Sequence, residues 1–144
     1  MKIFTMTSSG KSAEEFFNKI NENKVDLVLD IRLHNYSQLL GFTKGSDLEY
    51  FLNKLSSCKY VHDKVFCQTE ENLTNYRKKI ISWNDFEKDY SELIDKRNMV
   101  QVFSKEYGNY DNVLILCSGK SPKICHGRLL AQKLAKSPDD VVYL

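Results

Sequence analysis

The sequence predicts an α/β fold, a single-domain, three-layer structure with a mainly parallel five-stranded sheet and a helical excursion between the third and fourth strands. Short apolar runs alternate with amphipathic segments, which is the pattern of βα repeats. The chain has 144 residues, of which 42% are hydrophobic and 28% are charged, values ordinary for one globular domain. We therefore expect one domain over residues 1–144, with a helical lobe at about 69–110.

Five short apolar runs are the predicted strands. They cover residues 3–7, 25–31, 59–66, 113–117 and 141–144. The fourth run is short and rich in branched side chains, which is typical of a strand buried on both faces. Right-handed crossovers between such strands make the sheet mainly parallel.

Amphipathic segments between these runs are the predicted helices. The first covers residues 12–23, with Ser12 as N-cap and Glu14 and Glu15 in the first turn, where carboxylates suit the helix dipole. The next covers residues 46–55, in which leucine and phenylalanine recur at helical spacing.

Residues 69–105 are almost wholly helical in pattern and predict two or three helices. Ser82 is placed to cap one of them. Trp83, Phe86 and Tyr90 form a stripe that we interpret as the core of the lobe rather than as a platform for stacking bases.

The junction between the fourth strand and the last helix carries most of the reactive side chains. The helix is expected at residues 122–136, with Ser121 as N-cap and Pro122 in the first helical position. The reactive side chains are two thiols, an imidazole, two lysines and an arginine: Cys117, Cys125, His126, Lys120, Lys123 and Arg128.

Ligands of such folds bind beyond the carboxyl ends of the strands. The expected ligand-binding residues are Ser9, Arg32, Lys64, Cys117, Lys120 and Arg128. The expected catalytic groups are Cys125, His126 and Asp30. Cations outnumber Asp30 at this edge, and helix N-termini point towards it, so we expect it to bind an anion such as phosphate near Lys120 or Arg128.

Each of these residues also has a purely structural interpretation. Asp30 and Arg32 lie two apart on one strand and share a face, which favours a structural ion pair over the alternative that Arg32 binds an anion and Asp30 orients it or acts as a base. His126 falls in the apolar arc of the last helix, as either a packed or a catalytic histidine. Cys125 is either a packed thiol or a thiolate at a helix start, and packing is the stronger interpretation for Cys117.

Two specific kinds of site, a rhodanese-like or phosphatase-like cysteine site and a zinc site, fit this junction poorly. The spacing from Cys117 to Lys123 resembles the strand-cysteine-loop-helix layout of rhodaneses and cysteine phosphatases, but a lysine stands where those enzymes need the bidentate fork of an arginine. Zinc has Cys117, Cys125 and His126 within reach, yet there is no CxxC pair and no fourth ligand at a recognisable spacing. We predict no metal site and no cofactor.

Charge and hydropathy point to the cytoplasm. The net charge of +2 is small for a nucleic-acid-binding protein, and no apolar run approaches the roughly 20 residues of a membrane span. In a reducing compartment the four cysteines are expected to be free thiols, so a structural disulfide is not the expected use of any pair.

Several sequence blocks carry a family resemblance. They are Leu29-Asp30-Ile31-Arg32, Tyr60-Val61-His62, Ile81-Ser82-Trp83, and Leu116-Cys117 with Pro122, Cys125-His126 and Leu129-Leu130-Ala131. In these blocks the chain resembles domain-of-unknown-function family 488 over nearly its whole length. The resemblance implies a compact α/β domain and no settled activity. Gly127 departs from the family, because an arginine normally follows its Cys-His pair, and Arg128 is a candidate substitute.

Two functions are open at this point. The first is a small cytosolic enzyme acting on a phosphorylated or other anionic substrate, a nucleotide included, at the carboxyl end of the sheet. The second is a non-catalytic domain that binds a nucleotide or a nucleic-acid phosphate in the same crevice. Neither requires a membrane.

Overall fold

A five-stranded, all-parallel sheet forms the centre of the computed structural model, which describes residues 1–121 and 123–144. Its strands are β1 (Lys2–Thr7), β2 (Leu27–Asp30), β3 (Lys59–His62), β4 (Asn112–Cys117) and β5 (Val141–Tyr143). They lie in the order β3-β2-β4-β1-β5. The predicted α/β fold with a five-stranded sheet is therefore confirmed.

Helices fill the connections between the strands. They are α1 (Ala13–Glu22), α2 (Gly45–Leu55), α3 (Glu70–Arg77), α4 (Trp83–Lys96), α5 (Met99–Tyr107) and α6 (His126–Leu134), with short 3₁₀ helices at Gln38–Thr43, Lys64–Phe66 and Pro138–Asp140. The excursion between β3 and β4 thus consists of α3, α4 and α5. The longest described helix has 14 residues, and none of the described helices has the length and apolar character that a membrane span requires.

The direction of the crossovers decides which helices cover which face of the sheet. From β1 to β3 the chain moves towards one edge, and from β3 to β5 it moves back towards the other. Since parallel crossovers are right-handed, the two directions place their helices on opposite faces. Phe16 and Leu48 of α1 and α2 pack on one face, whereas Tyr90, Phe103 and Leu130 of α4, α5 and α6 pack on the other.

The same topology locates the crevice at the carboxyl edge. The adjacent strands β2 and β4 lead into connections that run in opposite directions, and ligands of open α/β sheets bind at such a point. The alternation of side chains along β4 places Val113, Ile115 and Cys117 on the α6 face of the sheet.

Two helix starts agree with their predicted caps. The Oγ of Ser12 accepts a hydrogen bond from the Glu15 N–H at 3.1 Å, and the Oγ of Ser82 accepts one from the Asp85 N–H at the same distance. The Asp85 carboxylate also accepts from the Ser82 N–H, which completes a capping box.

The predicted start of the last helix is wrong by four residues. Helix α6 begins at His126, and Cys125 is its N-cap. The Oγ of Ser121 accepts a hydrogen bond from the Ile124 N–H at 3.2 Å, so this serine closes a turn within the loop. The predicted role of Pro122 lies outside the described residues.

Tyr90 joins the helical excursion to the segment that follows β3. Its side chain is fully buried, and its hydroxyl donates to the Phe66 carbonyl at 2.7 Å.

Tyr90→Phe leaves that carbonyl buried without this donor, so we expect the free energy of unfolding in urea to fall by about 1–3 kcal/mol. Tyr50→Phe, at a tyrosine that is 58% exposed, is the matched control and should change it little. Equal effects of the two substitutions would contradict the role assigned to the Tyr90 hydroxyl.

Candidate functional site

A buried ion pair occupies the carboxyl end of β2. The Nε of Arg32 donates to Oδ1 of Asp30 at 2.8 Å, and its Nη2 donates to Oδ2 at 2.6 Å. The side chains are 1% and 0% exposed. This bidentate geometry is the strongest form of an arginine–carboxylate contact.

The remaining hydrogen-bonding groups of the pair are also engaged. Arg32 donates to the carbonyl of Thr43 at 2.7 Å and to its hydroxyl at 3.3 Å. The hydroxyl of Tyr60 donates to Oδ2 of Asp30 at 2.6 Å, and burial together with the Asp30 charge raises the pKa of Tyr60, which keeps it protonated. Since both charged groups are buried and satisfied, we leave Asp30 and Arg32 out of the candidate site, although both were expected in it.

A cavity of about 190 Å³ lies between the helical excursion and the loop that joins β4 to α6. We call it the aromatic cavity. Its described lining is Leu73, Tyr76, Arg77, Trp83, Phe86, Ser118, Gly119, Lys120, Ile124, Cys125 and His126. Three of the residues expected at the site, Lys120, Cys125 and His126, therefore come together here.

Three aromatic rings form one wall of the aromatic cavity. The Tyr76 ring lies 5.6 Å from that of Trp83 and 4.9 Å from that of Phe86, and the Trp83 and Phe86 rings are stacked at 5.4 Å. Phe86 is buried, whereas Tyr76 and Trp83 are half-buried. Part of the stripe interpreted as lobe core thus also faces a cavity.

The charge on the cavity lining is positive. Arg77 and Lys120 line it, and its described lining includes no carboxylate. Both side chains are exposed and so remain available to a ligand. An uncompensated pair of cations beside aromatic rings favours an anion with a planar group.

His126 lies at the inner end of the aromatic cavity and is 7% exposed. Its ring packs edge-on against Tyr90 at 4.8 Å and Phe86 at 6.0 Å. Burial lowers its pKa to about 4, and a hydrogen bond to the Ile31 backbone opposes that shift without reversing it. Nε2 has no hydrogen-bond partner in the described part of the chain. The imidazole is therefore neutral near pH 7, and its buried Nε2 is unpaired among the described residues.

Cys117 and Cys125 are paired as a disulfide in the structure, with Cα atoms 6.8 Å apart. The expectation that no cysteine pair would be used in this way is not met. The N-cap of α6 therefore lies beside the last residue of β4, although the two cysteines are eight residues apart in the sequence. Cys117 itself is 0% exposed and does not belong to the described lining of the aromatic cavity.

The other expected ligand-binding residues lie elsewhere. Ser9 is exposed after β1, and Lys64 is exposed after the edge strand β3. Arg128 of α6 forms an ion pair with Glu87 of α4, so its charge is already compensated. None of the three is part of the described cavity lining.

Leu73, Tyr76 and Arg77 are cavity residues that the sequence did not indicate. All three come from α3, whose helical pattern was predicted without any indication of what it packs against. A half-exposed tyrosine followed by an arginine at a helix end is too common a pattern to identify a site. Only the packing of α3 beside α4 brings them to the loop after β4.

The buried ion pair gives a first prediction for this region. Arg32→Met leaves Asp30 charged and without its main partner, and should lower the free energy of unfolding by about 3–5 kcal/mol. Asp30→Leu should lower the free energy of unfolding by a similar amount, because it leaves the Arg32 guanidinium buried without a carboxylate partner. The double variant should be more stable than either single variant, because it buries no unpaired charge. Urea unfolding of the four proteins tests this, and strictly additive losses would contradict it.

Protonation of His126 gives a second prediction. Because the folded-state pKa of about 4 lies below the usual 6.5, the unfolded chain takes up a proton first, and stability is lost as the pH falls from 6.5 towards 4. Between pH 7 and pH 5 this loss is about 2 kcal/mol. In His126→Gln, the free energy of unfolding in urea should lose this decrease between pH 7 and pH 5. His34→Gln, at an imidazole outside the cavity, is the control that should retain the loss, and a parental profile in His126→Gln would contradict the assignment.

Comparison with known proteins identifies the family of the chain. No curated protein and no solved structure matches the chain. A family model described as domain of unknown function DUF488 matches residues 12–134. The match runs from the N-cap of α1 to the last residue of α6 and includes the whole described lining of the aromatic cavity. The chain therefore belongs to the DUF488 family.

Proposed function

We propose that the protein is a small enzyme that acts on a planar, anionic substrate bound in the aromatic cavity. The observation that supports the proposal is the combination of side chains that lines this cavity. Aromatic rings, two cations, a cysteine at a helix start and a neutral histidine line one cavity near the carboxyl end of β4. A pocket with convergent polar groups and a perturbed titratable residue is the usual setting of an active site.

The walls of the cavity support the proposed substrate class. Tyr76 and Trp83 present half-buried rings against which a planar group such as a nucleobase can stack. Arg77 and Lys120 supply positive charge for a phosphate or carboxylate on the same molecule. A nucleoside monophosphate combines both features in one small ligand.

The chemistry is assigned to Cys125 and His126. In its reduced form, Cys125 is a thiol at the N-terminus of α6 beside Lys120, a setting that favours the nucleophilic thiolate. The low pKa of His126 makes it a weak base, so its part is to accept a hydrogen bond through Nε2 and orient the bound group. Group transfer through a covalent cysteine intermediate is the reaction class these groups fit.

The disulfide favours a second candidate. A sulfur bonded to Cys117 is not a nucleophile, so the oxidised protein would bind the same anionic ligand, or a nucleic-acid phosphate, without transforming it. The two candidate functions use the same cavity. They differ in whether Cys125 reacts with the bound ligand or the ligand is bound without reaction.

A binding experiment on the reduced protein tests the proposal. The probes are the four ribonucleoside monophosphates and inorganic phosphate, measured by thermal shift and calorimetry. We expect at least one nucleotide to raise the melting temperature and Trp83→Ala to weaken its binding about tenfold or more. Arg77→Ala and Lys120→Ala should also weaken it.

Lys96→Ala, which removes an exposed lysine at the far end of α4, is the matched control and should bind like the parent. Turnover that disappears in Cys125→Ser supports the enzyme, whereas binding without turnover supports the binding domain. Parental binding in the Trp83, Arg77 and Lys120 variants alike would overturn both.

A further inference from the structure

Two close backbone approaches bring Cys117 and Cys125 together. A Cβ at Gly119 would lie 2.7 Å from the Cβ of Cys125, so only glycine lets the loop close over the N-cap of α6. A Cβ at Gly127 would lie 3.2 Å from the Sγ of Cys117, so the first turn of α6 packs directly on that sulfur. The pair is therefore fixed by backbone packing on both sides.

The two sulfurs differ in their access to the outside. Cys125 lines the aromatic cavity together with Lys120 and His126. Both residues are buried, at 2% exposed for Cys125 and 0% for Cys117, but Cys117 is not part of the described lining. A small reagent that enters the aromatic cavity therefore meets a wall that includes Cys125 and does not include Cys117.

The cavity offers independent support for a reactive Cys125. Its described lining holds two cations and no carboxylate, which favours the thiolate. His126, whose buried Nε2 has no hydrogen-bond partner in the described part of the chain, lines the same cavity as Cys125. No large substrate is needed for these groups to act.

We infer that Cys125 is an oxidation site for small hydroperoxides and that Cys117 resolves the product to a disulfide. The Cys125 thiolate attacks one peroxide oxygen, an S–O bond forms and the O–O bond breaks, giving a sulfenic acid while the leaving oxygen takes a proton to become water or an alcohol. The Cys117 sulfur then attacks the Cys125 sulfur, the S–S bond forms and water leaves. The two thiols together lose two electrons to the peroxide, and an external thiol compound returns them by exchange.

This inference goes beyond the proposed function, because it needs the cavity and the cysteine pair but no nucleotide. Cys58 and Cys67 are internal controls within the same chain. Neither lines the aromatic cavity, and burial raises the pKa of each thiol to about 12, so they lack the two cations that face Cys125 and remain protonated.

The test treats the reduced protein with a stoichiometric amount of hydrogen peroxide in the presence of dimedone, followed by peptide mass spectrometry. The parent should form the Cys117–Cys125 disulfide with little dimedone adduct, and dithiothreitol should restore both thiols. Cys117→Ser should accumulate the adduct on Cys125 about tenfold faster than Cys125→Ser accumulates it on Cys117. Circular dichroism confirms that each variant is folded.

Gly119→Ala provides a second variant that keeps both cysteines. Its added Cβ displaces Cys125 from Cys117, so the dimedone adduct should appear on Cys125 even though Cys117 is present. Lys133→Ala, at an exposed residue of α6 outside the described cavity lining, is the control and should behave like the parent. The inference is overturned if Cys125 reacts no faster than Cys58 or Cys67. It is also overturned if Cys125 in Cys117→Ser and Cys117 in Cys125→Ser are labelled at equal rates.

Discussion

The buried ion pair between Asp30 and Arg32 holds together the carboxyl edge of the sheet. Two charges removed from water are costly, and here they are compensated by bidentate contact and by hydrogen bonds from Tyr60 and to Thr43. Those partners come from β3 and from the segment before α2. One pair thus fixes the end of β2, its neighbouring strand and the connection between them, and loss of either charge would leave the other buried alone.

The candidate site depends on this pair through Ile31, the residue between its two members. The Ile31 N–H donates to the Leu116 carbonyl at 3.0 Å, which joins the end of β2 to β4 one residue before Cys117. The backbone of Ile31 also hydrogen-bonds His126. A structural pair on one face of the sheet therefore positions the backbone that holds the neutral histidine on the other face.

Local signals in the sequence were reliable where the chain satisfies its own hydrogen bonds. Ser12 and Ser82 cap helices as predicted, because a cap needs only the next three residues. The start of α6 was wrong for a tertiary reason. Ser121 closes a turn at Ile124, and Cys125, which packs against Gly119, has extended backbone, so the helix begins only at His126.

The sequence by itself determined the α/β class, the approximate places of the strands, and the concentration of Lys120, Cys125 and His126 after β4. The spacing of apolar residues and the handedness of parallel crossovers follow from local chain geometry. The strand order β3-β2-β4-β1-β5 was decided by the tertiary structure. Only the tertiary structure decided that Asp30 and Arg32 satisfy each other in the interior. It also decided that α3 and α4 dock beside that loop and form the aromatic cavity, because contacts between segments distant in sequence depend on side-chain packing rather than on any pattern within one segment.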